Sequence, residues 1–212
     1  MLTYTLLTDG SSDRTLIPIL TWLLEQQGVR DAIQSLWADL RPLRNKPRSL
    51  SKKIEQAVYL FPCDLLFIHR DAENQPSARR LQEINDAIQN LHESISCPPA
   101  ICVIPIRMQE AWLLFNESAI RLAAGNPNGH VQLDLPDLHY LEQLVDPKDV
   151  LYELLRAASG LSGRRRRNFE VDKAASRVAD YIDDFSALRR LSAFYALETE
   201  ISQLVRNQSW NQ

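Results

Sequence analysis

Short apolar runs alternate along the first half of the chain with longer stretches in which apolar residues recur every three or four positions. Residues 3–8, 64–69 and 100–104 mix aliphatic, aromatic and β-branched side chains over strand length, and a weaker run covers 36–40. Between them, Leu16, Ile19, Leu20, Leu23 and Leu24 make one face of a helix over 14–27, with Gly28 as a stop. Residues 50–60 read as a second helix closed by Pro62, and 77–95 as a third with Leu81, Ile84, Ala87, Ile88 and Leu91 on one side. A fourth starts near Met108 and takes in Ala111, Trp112, Leu114 and Phe115. The order β-α-β-α-β-α-β-α predicts an α/β fold, a Rossmann-like, mainly parallel sheet with helices on both faces.

The pattern changes after Ala124. Gly125-Asn126-Pro127-Asn128-Gly129 is a turn, and the helical periods at 140–145, 150–158, 174–182 and 188–205 are not interrupted by another convincing strand. The chain is therefore divided into an α/β domain over 1–124 and a helical extension or subdomain over 125–212.

Composition narrows the class. The chain has 212 residues, 45% hydrophobic and 24% charged, enough for a substantial core. A net charge of −3 gives no global polyanion-binding signature, but the local distribution is uneven. Arg41, Arg44, Lys46, Arg48, Lys52 and Lys53 form a basic tract without acids, and Arg164, Arg165, Arg166 and Arg167 form a second. Cys63, Cys97 and Cys102 are odd in number and lack a CxxC pair, so they read as thiols rather than a disulfide framework or zinc site. No signal-peptide pattern opens the chain and no apolar run has the length of a membrane span, which predicts a cytoplasmic protein with no membrane partner.

The candidate chemistry lies where the strands end. Asp9 follows the first, Asp71 and Glu73 follow the third, and Glu110 follows the fourth. A parallel sheet lines up those ends along one edge. Asp71 and Glu73, one residue apart, face the same side of an extended segment and repel unless a cation or a proton intervenes. Hard oxygen ligands of this kind suit Mg²⁺ or Mn²⁺.

The segments Asp9-Gly10, Asp71-Ala72-Glu73 and Ile104-Pro105-Ile106-Arg107-Met108-Gln109-Glu110-Ala111-Trp112-Leu113-Leu114 together resemble a Toprim-like domain. The last string resembles the Glu-Ala-Trp-Leu-Leu segment of an uncharacterised bacterial Toprim-like family, related in fold to the overcoming-lysogenization-defect nucleases. The resemblance covers roughly residues 1–122. The family pattern has Glu-Gly where this chain has Asp9-Gly10, and Asp-x-Asp where it has Asp71-Ala72-Glu73, so side-chain reach changes by one methylene at each place.

The resemblance implies metal-dependent phosphoryl transfer, a nuclease acting on DNA or RNA in bacterial defence or DNA processing. Asp9, Asp71, Glu73 and Glu110 are then the metal-binding and catalytic residues. Arg70, Arg107 and the run Arg164, Arg165, Arg166 and Arg167 would contact phosphates of the nucleic acid. The alternative is a non-catalytic Toprim-like module that binds nucleic acid or a partner. The chain lacks a Walker-type phosphate loop, so any ATPase partner would be a separate protein. A phosphoacceptor switch centred on Asp71 is a third reading, against which stands Arg107 where such a domain carries a Lys.

Overall fold

The structure is a computed structural model and describes residues 1–73 and 75–211. The sheet contains β1 (Leu2–Leu7), β2 (Ile33–Trp37), β3 (Leu65–His69) and β4 (Ala100–Val103), in the order β2-β1-β3-β4. Every pairing is parallel, with Leu6 opposite Trp37 and Phe67, and Phe67 opposite Ile101. Between the strands run α1 (Leu16–Gln26), α2 (Leu50–Leu60) and α3 (Ser77–Gln89). Gly28, at φ +84°, adopts the left-handed conformation just beyond α1, which a side chain would strain. The helix expected to extend to residue 95 ends at Gln89.

The strand order reverses between β1 and β3. Right-handed crossovers then require α1 on one face of the sheet and α2 and α3 on the other. The core divides in that way. Leu7, Leu66 and Ile68 pack with Ile54 and Ala57 of α2 and with Ile84 and Ala87 of α3. Tyr4, Leu6, Leu65 and Phe67 pack with Leu16, Leu20 and Leu23 of α1 on the opposite face. All five β3 residues are buried, as a central parallel strand demands.

The rest of the chain is helical: α4 (Glu117–Ala123), α5 (Pro147–Ala158), α6 (Gly163–Arg167), α7 (Val171–Ala175) and α8 (Ser192–Asn207), joined by 3-10 turns. Leu151, Leu155, Phe185 and Phe194 belong to the same buried cluster as Tyr4 and Leu6. Trp112 sits at the junction, 1% exposed, edge-on to Phe194 of α8 with ring centroids 5.3 Å apart. Trp22 of α1 meets Phe185 at 5.8 Å, so the helical half covers one face of the sheet. Among the described residues no helix is long and apolar enough to cross a membrane. Cys63, Cys97 and Cys102 are free thiols beside the α2/α3 core.

Candidate functional site at the C-terminal edge of the sheet

The reversal of strand order opens a crevice beyond the carboxyl ends of β1 and β3, the usual ligand position in such sheets. Three segments furnish it. A 3-10 turn, Ser12–Thr15, follows β1, residues 70–73 continue β3, and a second 3-10 turn, Gln109–Leu113, follows β4. The parallel pairing of β3 with β4 runs past the strands proper: Arg70 N–H donates to Val103 O, Ala72 N–H to Pro105 O and Glu73 N–H to Arg107 O, all within 3.1 Å. That last bond joins two non-glycine residues with positive φ, Glu73 at +53° and Arg107 at +66°. Each such conformation costs roughly 1–3 kcal/mol, and strain of this kind concentrates at functional sites.

Gln109, 2% exposed, is the hub. Its backbone N–H donates to Asp71 Oδ1 at 3.0 Å, and its side-chain Nε2 donates to Asp13 Oδ1 at 3.1 Å. Its Oε1 accepts from Thr15 at 3.1 Å. Asp13 also accepts from Gly10 N–H at 2.9 Å and Ser12 Oγ at 3.0 Å. A Cβ at Gly10 would lie 3.2 Å from Asp13 Oδ1, so glycine is what allows the carboxylate to fold back onto the turn. His69, 2% exposed, completes the group. Its Nδ1 lies 3.0 Å from the Val103 carbonyl, which only accepts, so Nδ1 carries the hydrogen. Nε2 then faces Asp71 Oδ1 at 3.5 Å and Asp13 Oδ2 at 3.8 Å.

Burial of this much charge has electrostatic consequences. Burial first, then the charges of Glu110 and Asp13, push the Asp71 carboxyl up from 3.8 to about 8. Glu110 is raised chiefly by its own burial, with Lys148 opposing. Burial lowers His69, and the Asp13 carboxylate only partly offsets it. The edge therefore holds two carboxyl groups that resist ionisation unless positive charge arrives.

The expected acids are only partly gathered here. Asp71 and Glu110 belong to the group, joined by Asp13, His69 and Gln109. Asp9 is turned aside, pairing with Lys53 Nζ at 2.5 Å and Arg70 Nε at 2.9 Å. Glu73 is exposed and pairs with Arg80 at 3.3 Å. Arg70 and Arg80 both bind Glu83 at 3.0 Å, so Lys53, Asp9, Arg70, Glu83, Arg80 and Glu73 form one chain of alternating charge. Arg80 also donates to the Asp71 carbonyl at 3.0 Å. Arg107 contributes its carbonyl to Glu73. The run Arg164, Arg165, Arg166 and Arg167 forms α6, fully exposed, where Arg166 pairs with Glu153 at 3.3 Å.

Asp13 and Gln109 are not among the candidate residues that the sequence singles out. The signal available for both was their place, beside turns that follow strands.

Among the described residues, no three His, Cys, Asp or Glu side chains form a preassembled metal cage. What links Asp71 and Glu110 is charge, since the Glu110 carboxylate helps to raise Asp71. Mg²⁺ is commonly bound by one or two carboxylates, with waters and substrate phosphates filling its octahedron. Two carboxyl groups whose ionisation a cation would relieve match that chemistry.

Glu110 opens onto a cleft of about 500 Å³ whose far wall is the helical half, including Lys148, Tyr152 and Asp172. Lys148 Nζ stands 5.6 Å from the centre of the Tyr152 ring, and the Tyr152 hydroxyl donates to Asp172. The cleft thus brings a cation and an acid together in a space of small-ligand size, and the Lys148 charge opposes the rise of the Glu110 carboxyl.

The fold and site define a parallel-sheet α/β protein with a buried polar cluster at its strand-order reversal. Comparison with protein-family models, curated proteins and solved structures finds no match to the chain.

Proposed function

We propose that this protein carries out divalent-metal-dependent phosphoryl transfer as a nuclease on DNA or RNA, of the Toprim-like kind that its motifs resemble. The observation that carries the reading is the bridging of Asp13 and Asp71 by Gln109 beside Glu110, at the carboxyl edge of a parallel sheet. Asp71 and Glu110 would hold Mg²⁺ or Mn²⁺ together with a phosphate of the substrate. The cation supplies Lewis-acid polarisation of the phosphodiester. Gln109 orients Asp71, and His69 packs its Nε2 against the same carboxyl. Lys148, which lines the same cleft, would neutralise a phosphate oxygen. Asp13 anchors the Gly10 turn rather than meeting substrate, since three donors already occupy its oxygens.

One observation favours a second reading, a non-catalytic module that binds nucleic acid or a partner such as a separate ATPase. Asp9, in the place of the acid/base residue that the resemblance implies, is engaged by Lys53 and Arg70.

Incubation of the purified protein with single- and double-stranded DNA and RNA, with Mn²⁺ or Mg²⁺, separates the two. Metal-dependent cleavage that Asp71→Asn abolishes supports the nuclease. Absence of cleavage of every substrate by protein that still binds Mn²⁺ overturns it in favour of the binding module.

A further inference from the structure

A second cleft, of about 560 Å³, lies beside the acid site, between the start of α1, the end of β2 and residues 176–180. Three guanidinium groups line it: Arg14 from the turn after β1, Arg41 from the loop after β2, and Arg177 from beyond α7. They are widely separated in sequence and brought together only by the fold. All three residues are exposed. Asp180 is the one carboxylate in the lining, so the groove is net positive.

Two of the arginines are held against aromatic rings. The Arg41 guanidinium lies 4.9 Å from the centre of the Trp37 ring, and that of Arg177 lies 5.2 Å from that of Tyr181. Arg41 also gives Nε and Nη2 to Asp39, both at 2.7 Å, and Arg177 donates Nη2 to the Tyr181 hydroxyl, so a ring and an acceptor together hold each guanidinium in a fixed direction. The Arg41 side chain is 55% exposed. The pair is bidentate, so Arg41 braces the wall of the groove, and Arg14 and Arg177 are the arginines offered to a phosphate.

The groove is continuous with its neighbours. It shares Ser11 and Ser176 with the cleft that holds Glu110 and Lys148. It shares Trp37 and Arg41 with a smaller pocket of about 130 Å³ that carries Lys46 and Lys53. Both signs line the adjoining clefts, with Lys53 and Arg41 of the smaller pocket paired to Asp9 and Asp39 and with Lys148, Lys173 and Asp172 beside Glu110, while α6 and its arginines border none of these three clefts.

We infer that the Arg14/Arg41/Arg177 groove binds the sugar-phosphate backbone of a single-stranded nucleic acid and leads it toward the Glu110 cleft. Two adjoining clefts, each of small-molecule size, suit a ligand of repeated phosphate-linked units. A positive groove with an aromatic ring in its wall is the usual means of holding a single strand without reading its sequence. A rigid duplex cannot follow concave pockets of this size. The inference rests on the nuclease reading for what happens at the acids, but binding in the groove requires no cleavage.

The test is fluorescence anisotropy with a labelled oligothymidylate in EDTA, comparing wild type, Arg14→Ala/Arg177→Ala and the control Arg164→Ala/Arg165→Ala. The groove variant is expected to bind roughly tenfold more weakly or worse, with the slope of log K against log salt shallower by about 1.4, two lost single-strand phosphate contacts. Arg14→Lys/Arg177→Lys keeps the charge but not the fork, so the salt slope should return to that of wild type while affinity recovers only in part. The α6 variant is expected to bind as wild type does, and unlabelled duplex to compete poorly. Unchanged affinity and slope in the groove variant, an equal loss in the α6 variant, or equal competition by duplex would each overturn the groove. Because binding is read without metal, a wild type that binds through Arg14 and Arg177 but never cleaves defeats the nuclease reading alone. A wild type that cleaves, with binding indifferent to those arginines, defeats the groove alone.

Discussion

The backbone N–H of Gln109 donates to Asp71 Oδ1 at 3.0 Å, across 38 residues of sequence. The same residue's side-chain amide reaches Asp13 on the third segment of the site. One neutral residue therefore fixes two acids by two different groups, and only the Asp13 bond depends on its side chain. Gln109→Leu keeps the volume and the Asp71 bond but leaves Asp13 and Thr15 without their buried partner. Asp13 keeps Gly10 and Ser12, and Thr15 keeps the Ser12 carbonyl, so we expect a loss of about 1–3 kcal/mol, the worth of two hydrogen bonds, read as a lower urea midpoint. Unchanged stability would contradict the role of Gln109 as the hub.

Asp71 predicts how stability changes with pH. In the unfolded chain its carboxyl ionises near 3.8, and in the folded chain only near 8. Between those values the folded protein retains a proton that the unfolded chain has released, so raising the pH favours unfolding. The stabilising contribution is complete below about 4 and lost as the pH passes through about 8. In EDTA, Asp71→Asn should melt with wild type at pH 4 and several degrees above it at pH 8.5, a gain of about 1–3 kcal/mol. His69, lowered by burial, adds a loss on the acid side of 6.5 in both proteins, so the difference between the two curves carries the Asp71 signal. Thermal melts across that range that never diverge would contradict the raised carboxyl.

Trp112 predicts where the two halves are joined. It lies in the string that resembles the Toprim-like family, two residues beyond Glu110, yet it is core, edge-on to Phe194. Trp112→Ala should cost about 3–5 kcal/mol and lower Tm by roughly 10 °C. A single calorimetric transition that shifts as a whole is expected, because the sheet and α8 share one cluster. A melt in which only part of the unfolding enthalpy moves would contradict that shared core.

The strands and most helices were legible in the sequence because burial imposes a period. β3 is apolar up to its last residue, His69, and buried throughout, and the Leu16–Leu24 face of α1 is the face that packs. The positions of Asp71 and Glu110 were legible from the same frame, since a parallel sheet aligns its strand ends. The fates of Asp9 and Glu73 were not. Nothing near Asp9 in sequence announces Lys53, 44 residues on, and nothing near Glu73 marks Arg80 as the residue that takes it. The helix expected from Met108 begins as a 3-10 turn, Gln109–Leu113, after a left-handed Arg107. A backbone state at one residue leaves little trace in a hydrophobic pattern. The helix expected over 188–205 is likewise broken, with Leu191 extended at φ −89° and ψ 133° between a 3-10 turn and α8. Convergence of Arg14, Arg41 and Arg177 depends on tertiary packing alone, whereas the contiguous Arg164, Arg165, Arg166 and Arg167 are visible in the sequence as a run.

If Asp71 and Glu110 seat a divalent cation as proposed, calorimetric titration with Mn²⁺ reads that binding directly. Wild type should bind with an affinity that climbs about tenfold per pH unit below 8, because the cation displaces the Asp71 proton. Asp71→Ala should lose at least roughly tenfold in affinity, while Glu73→Ala, which removes only the exposed partner of Arg80, should match wild type. An Asp71→Ala isotherm indistinguishable from wild type would contradict the account.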